Sequence, residues 1–155
     1  MEARAQAFLN TYLASLPLAK RETCTSFSAE YFCAEKEAAN TCADLVRAGI
    51  KVATCSLKYW YDQGGLPMPK VGHLMVVTDW DGNPISIIET TSVTVRRFCD
   101  VGEEHAYLEG EGDRTLAYWR RAHWDFFTAD LADEEMEPSE EMELVLEGFK
   151  VVFPA

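Results

Sequence analysis

At 155 residues the chain is the size of one domain, long enough to bury a core without disulfides or structural metals. It is 48% hydrophobic and 26% charged, and its formal net charge of −12 argues against a broad basic surface that tracks nucleic-acid phosphates. DNA is therefore not an expected partner. The acidity is uneven: nine acids and no Lys or Arg lie from Asp130 to Glu147, leaving 17 acids against 14 bases elsewhere, a net of −3. A small, weakly charged ligand in a local pocket suits such a chain better. No apolar run approaches the roughly 18 residues needed to span a bilayer. The start, Met1-Glu2-Ala3-Arg4-Ala5, lacks a secretory leader's features, so the expectation is a cytoplasmic protein without membrane contact. Cys24, Cys33, Cys42, Cys55 and Cys99 contain no CxxC pair and are odd in number, which suits free thiols. The nine-residue recurrence of the first three matches no zinc site.

In chain order, Glu2 to Leu16 is expected to be a helix with Phe8, Leu9, Tyr12, Leu13 and Leu16 as its apolar stripe, ended by Pro17. Thr25 to Phe32 reads as a strand. Glu35 to Ala48 reads as a helix buried through Ala38, Cys42, Leu45 and Val46, with Gly49 at its C-cap. Val52 to Leu57 follows as a strand, and Lys58 to Gly65 as a short aromatic helix or loop. Pro67-Met68-Pro69 keeps the next segment extended. Gly72 to Trp80 and Pro84 to Arg96 are strands joined at Asp81-Gly82-Asn83, a hairpin signal. Val101 to Leu108 and Thr115 to Thr128 read as helices, Ala129 to Glu141 as an acidic loop, and Met142 to Phe153 as a final strand. The pattern argues a single α+β domain built on a mainly antiparallel sheet or small barrel.

Several residues carry possible chemistry. On a regular strand Glu89 shares a face with Ile85, Ile87, Thr91, Val93 and Val95, and a buried carboxylate there needs a partner. The helix from Thr115 aligns Leu116, Trp119, His123 and Phe126 or Phe127, so His123 is either a core histidine or part of a site. Arg120 can reach Glu109 or Glu111, or anchor a ligand oxygen. Gly110 and Gly112 permit close backbone approach, but Gly-Glu-Gly-Asp is no phosphate loop. Lys51 and Thr54 are three apart and work together only if Lys51 lies on the turn after Gly49 or at a bulge. His73, His105 and His123 are scattered in sequence, so no metal site and no cofactor are expected.

Taken together, Gly49-x-Lys51-x-x-Thr54, the stretch Pro69 to Gly72, Ile88-Glu89-Thr90-Thr91, and Glu109-Gly-Glu-Gly-Asp with Trp119-Arg120-x-x-His123-x-x-Phe126-Phe127 resemble an ASCH domain, of the larger bacterial branch, from about Ala34 onward. His73 departs from the acid the family often carries after that glycine. The resemblance implies a PUA-like fold: a small mixed or antiparallel β-barrel with flanking helices and a cleft beside the Gly-x-Lys turn, here with an N-terminal helical extension over about residues 1–20. It also implies RNA binding, ribonuclease activity, or metal-independent hydrolysis of N(4)-acylated cytidine. For the amidohydrolase it maps Lys51, Thr54 and Glu109 as catalytic residues, with Glu111 able to replace Glu109. Glu89, Glu111, Arg120, His123 and Trp60 are the expected substrate-binding residues, with Tyr59, Trp119 or Trp124 as further stacking candidates. Lys51, desolvated, is expected to act as the base for Thr54. The expected partner is a small nucleoside, with RNA as the alternative. Monomer and homodimer both remain open.

Overall fold

The computed structural model describes residues 1–154. Helix α1 (Ala3–Ser15) is followed by α2 (Leu18–Thr23), strand β1 (Phe27–Glu30), α3 (Lys36–Arg47), β2 (Ala53–Leu57) and the single turn α4 (Tyr59–Asp62). Then come β3 (Leu74–Thr78), β4 (Pro84–Arg97), α5 (Glu103–Glu109), α6 (Leu116–Leu131) and β5 (Glu143–Phe153). The strands make one sheet in the order β1-β3-β4-β5-β2, with β1 parallel to β3 and the other pairs antiparallel. The α+β class and mixed sheet agree with the expectation. The sheet is not closed, however, and β1 and β2 are its two edges.

Three apolar clusters hold the helices to this sheet. Ala5, Leu9 and Tyr12 of α1 pack on Leu74, Val76 and Ile87. Ala43 and Val46 of α3 meet Val77, Ile88 and Phe149. Ala106, Trp119, Phe127 and Leu131 from α5 and α6 cover Leu57, Leu144 and Leu146. Residue alternation explains the split: Val76 and Val77 point to opposite faces of β3 and serve different clusters.

Four local expectations change. Pro17 ends α1 but starts α2 as its N-cap, because its fixed φ suits a helix entrance. In α3 the buried face is Ala39, Cys42, Ala43 and Val46, while Ala38 is exposed. Helix α6 runs on to Leu131, whose burial in the core draws the start of the expected acidic loop into helix. In β4, register shifts at Ile87/Ile88 and Thr90/Ser92 break the period of two, so Thr91 and Val95 are exposed.

Two glycine turns place the site. Gly49, at φ 72°, closes α3 in a Schellman arrangement: Gly49 N–H donates to Val46 O and Ile50 N–H to Leu45 O, both at 2.9 Å. Lys51 N–H also donates to Leu45 O, so Lys51 sits on the turn before β2 rather than in the strand. Gly110, at φ 74°, caps α5, and a Cβ there would lie 2.7 Å from Ile50 O. The two turns therefore abut, bringing Glu109 against Lys51. Gly110→Ala is expected to cost about 1–3 kcal/mol in a denaturant titration, from backbone strain and lost approach.

Candidate functional site

A cleft of about 380 Å³ runs along the free edge of β2. Its walls include Phe32 and Cys33 from the loop before α3, Lys51, Thr54 and Cys55 at β2, Glu109 and Glu111 after α5, and Tyr118, His123 and Phe126 of α6. At its base Lys51 is 1% exposed, an unusual position for an ammonium. Nζ donates to Ala53 O at 2.9 Å, Glu111 Oε2 at 3.1 Å and Glu109 Oε1 at 3.3 Å. It also lies 5.2 Å from the centre of the Phe32 ring. Burial alone would favour the neutral amine. The two carboxylates outweigh it and hold Lys51 above its ordinary pKa. The expected neutral lysine base is therefore not what this geometry makes. Lys51 is a fixed cation.

Glu109 is equally buried and fully satisfied. Oε2 accepts from Trp119 Nε1 at 2.6 Å and faces His105 Nε2 at 2.8 Å; Oε1 meets Lys51 and, at 3.4 Å, His123 Nε2. Helical spacing produces this convergence, since His105 precedes Glu109 by four on α5 and Trp119 precedes His123 by four on α6. The Trp119 and His123 rings stack at 4.4 Å. Burial pushes the Glu109 carboxyl up, but Lys51, His105 and His123 together hold it well below the usual carboxylate range. Glu109 is thus an ionised anchor rather than the proton-donating acid expected from the resemblance.

His123 has only acceptors around its ring, Trp119 O at 2.8 Å on Nδ1 and Glu109 on Nε2. The imidazolium form, with hydrogen on both nitrogens, satisfies both contacts. Burial opposes this charge, but the Glu109 hydrogen bond and charge raise the pKa above 6.5. The stabilisation from His123 is therefore complete below pH 6.5 and lost as pH rises through its raised folded pKa. That from Glu109 is complete above pH 4.5 and lost as pH falls through its depressed folded value. Urea midpoints measured across this range should decline on both sides, and His123→Gln should flatten the alkaline decline.

The other expected site residues lie elsewhere. Glu89 is opposite Leu74 in β4 and pairs at 3.8 Å with both Lys20 and Lys150, away from the cleft. Trp60 Nε1 donates to Asp130 at 2.7 Å and packs on the core. Arg120 is exposed on α6 and forms no ion pair with Glu109 or Glu111. Trp119 is fully buried and Trp124 rests against Phe98, so the cleft's aromatic walls are Phe32, Tyr118 and Phe126 instead. His73 lies between the Ser26 and Ser28 hydroxyls, tying β3 to β1.

Glu147 belongs to no motif and closes the acidic run. Its sequence signal is its place as the one acid inside the apolar stretch Leu144 to Phe149 of β5. It pairs directly with Thr54 across the β2–β5 ladder. Hydrogen bonds at Phe149 N–Val52 O and Lys58 N–Glu143 O mark the even-numbered β2 positions as hydrogen-bonded pairs. The Thr54 and Glu147 side chains therefore stand on the same face, with Cβ atoms about 5 Å apart. Burial, then the Glu30 carboxylate, pushes the Glu147 carboxyl up to about 7. Ser56 and Tyr61, whose hydroxyls are 2.7 Å apart, continue this face.

Three clusters bring metal-ligating atoms together: Cys33, Cys42 and Glu111; Cys55, His105 and Glu109; and Glu109, Glu111 and His123. Two of the histidines scattered in sequence, His105 and His123, thus reach a shared carboxylate, Glu109, while His73 does not. In the third cluster the Lys51 ammonium already sits against both carboxylates.

Fold and site together define a small α+β domain with a cleft at a sheet edge, apolar-walled and organised around a buried Lys–Glu pair. A model of the ASCH domain matches residues 28–153, and the chain belongs to the ASCH domain family. It is similar to the ASCH domain from Lactobacillus crispatus JV V101, at 54% identity over 98% of this chain and 96% of that one, with a TM-score of 0.96. It is also similar to protein EF3133 from Enterococcus faecalis V583, at 30% identity over 98% and 90%, with a TM-score of 0.84. The hypothetical protein PH0355, at 12% identity over 83% of this chain and 100% of that one, shares the fold with a TM-score of 0.53. No curated protein matches.

Proposed function

We propose that this ASCH domain is an amidohydrolase that removes the acyl group from N(4)-acylated cytidine or a similarly small modified nucleoside. The observation that carries this reading is a cleft-lining hydroxyl, Thr54, with a buried cation nearby and a carboxyl group of near-neutral pKa on the neighbouring strand. Thr54 Oγ1 bonds to the acyl carbon while Glu147 takes its proton. The carbonyl oxygen gains the electron pair and takes the place of Glu111, the more exposed of the two Lys51 partners, beside the ammonium. The C–N bond breaks, and Glu147 passes the proton to the departing cytidine N4. Water then attacks the Thr54 ester, releasing the carboxylic acid and restoring the hydroxyl. Glu109, His105, Trp119 and His123 hold Lys51 in position.

Phe32, Tyr118 and Phe126 supply apolar walls for a base, and each stacked contact is typically worth about 1–3 kcal/mol. Glu35, Glu111 and Asp125 also line the cleft and repel phosphate, which favours a free nucleoside over a nucleotide or RNA. Purified protein should release cytidine from N(4)-acetylcytidine, and more slowly from its 5′-phosphate. No release from acetyl or longer acyl homologues would overturn the reading.

A further inference from the structure

Cys33 on the cleft wall and Cys42 buried behind it are two thiols that the proposed hydrolysis leaves unused. Cys33 lies in the loop before α3, half-exposed on the cleft, with its backbone at φ 69°. For a side chain with a Cβ this left-handed conformation costs about 1–3 kcal/mol unless surrounding contacts impose it. Cys42, on α3, is buried, and its Sγ lies 3.3 Å from that of Cys33. Cys42 Sγ also donates to Glu111 Oε1 at 3.4 Å, and the other oxygen of that carboxylate accepts from Lys51. The pair is therefore one contact from the buried cation.

We propose that Cys33 and Cys42 are an oxidisable dithiol built into the cleft wall, converted by a peroxide to a Cys33–Cys42 disulfide. The two sulfurs have unlike surroundings. The hydrogen bond between the two sulfurs, helped by Lys51 and His123, holds the Cys33 thiol below its ordinary value against burial and Glu111. The same bond, with burial and Glu111, pushes Cys42 up. Cys33, which lines the cleft, is the sulfur a peroxide reaches, and Cys42, buried 3.3 Å behind it, is placed to resolve the product, the division of labour between an attacking and a resolving thiol.

In the first step the Cys33 thiolate attacks one peroxide oxygen. The O–O bond breaks, leaving a sulfenic acid and hydroxide, which takes up the proton Cys33 had released. The Cys42 sulfur then attacks Cys33; the S–S bond forms, the S–O bond breaks, and the hydroxyl leaves as water with the Cys42 proton. The two sulfurs together lose two electrons and the peroxide becomes two waters. Glu111 loses its thiol donor and Cys33 is drawn from the cleft toward α3. Binding of a soft cation by Cys33, Cys42 and Glu111 is the competing use of these atoms. It requires both thiols ionised, which the surroundings of Cys42 oppose, and adds positive charge beside Lys51.

The test is limited hydrogen peroxide treatment of the reduced full chain, followed by thiol titration, intact mass and peptide mapping. The expected result is loss of two of the five thiols and a linked peptide joining Cys33 to Cys42. Cys33→Ser, at a half-exposed position, should slow thiol loss by about tenfold or more. Sulfinic acid at Cys33 with Cys42 still reduced, oxidation spread evenly over Cys24, Cys55 and Cys99, or unchanged kinetics in Cys33→Ser would each overturn the proposal. None of these readings depends on the substrate of the cleft.

Discussion

Replacing Glu109 with alanine should lower the unfolding free energy by about 3–5 kcal/mol, the cost of removing one member of a buried ion pair. The side chains of Lys51 and Glu109 are each only 2% exposed, so the remaining ammonium keeps Glu111 but gains no water in exchange. Trp119 Nε1 and His105 Nε2 also lose their acceptor inside the domain. Urea unfolding at neutral pH measures this directly. A change below about 1 kcal/mol would mean that the cluster is solvated. The same logic applies to Lys51→Ala, which strands two carboxylates. Loss of turnover in either variant therefore mixes chemistry with folding, and neither substitution cleanly tests a catalytic role.

Glu147→Gln should reduce kcat for N(4)-acetylcytidine by about 10²–10⁴-fold, the usual size of a general-base contribution. Glutamine keeps the size and neutral polarity of the protonated acid, so stability near pH 7 should change little. A carboxyl group titrating near pH 7 must be ionised to accept the Thr54 proton, so wild-type activity should fall as pH drops below about 7. In the variant that acidic limb should disappear along with most of the rate. Glu30 and Tyr61 are the other titratable groups acting on this position, and Glu30→Gln should move the limb to lower pH by removing its repulsion. An unchanged acidic limb in Glu147→Gln would assign the titration to another group.

The sequence was most legible where periodicity and glycine chemistry agree. Helix α3, its Gly49 cap and the turn position of Lys51 follow from local rules, since one left-handed residue fixes the chain direction there. The antiparallel β3–β4 pair was legible from its alternation and the turn between the strands. What no local rule supplies is convergence. His105, Glu109, Trp119 and His123 come from two helices whose approach is set by the core under α5 and α6, so in the sequence alone His123 reads first as a core histidine. The setting of Lys51 is hidden for the same reason: desolvation is visible in one residue's surroundings, but the opposing carboxylates arrive through tertiary packing. Glu89 illustrates the converse. The period of two placed it on an apolar face, and bulges together with Lys20 and Lys150 turned it into a local ion-pair partner.

The central claim is that Thr54 becomes acylated by a small nucleoside amide. Thr54 has no ion-pair or buried-network role, so Thr54→Ala should fold like the wild type. Wild-type protein and this variant should be mixed with N(4)-acetylcytidine, quenched within the first turnover, and mapped by tandem mass spectrometry. The account predicts an acetyl group on Thr54 that decays as cytidine and acetate accumulate, with turnover lost in Thr54→Ala by a factor on the order of 10⁴ or more. Cytidine release by Thr54→Ala at the wild-type rate would contradict it.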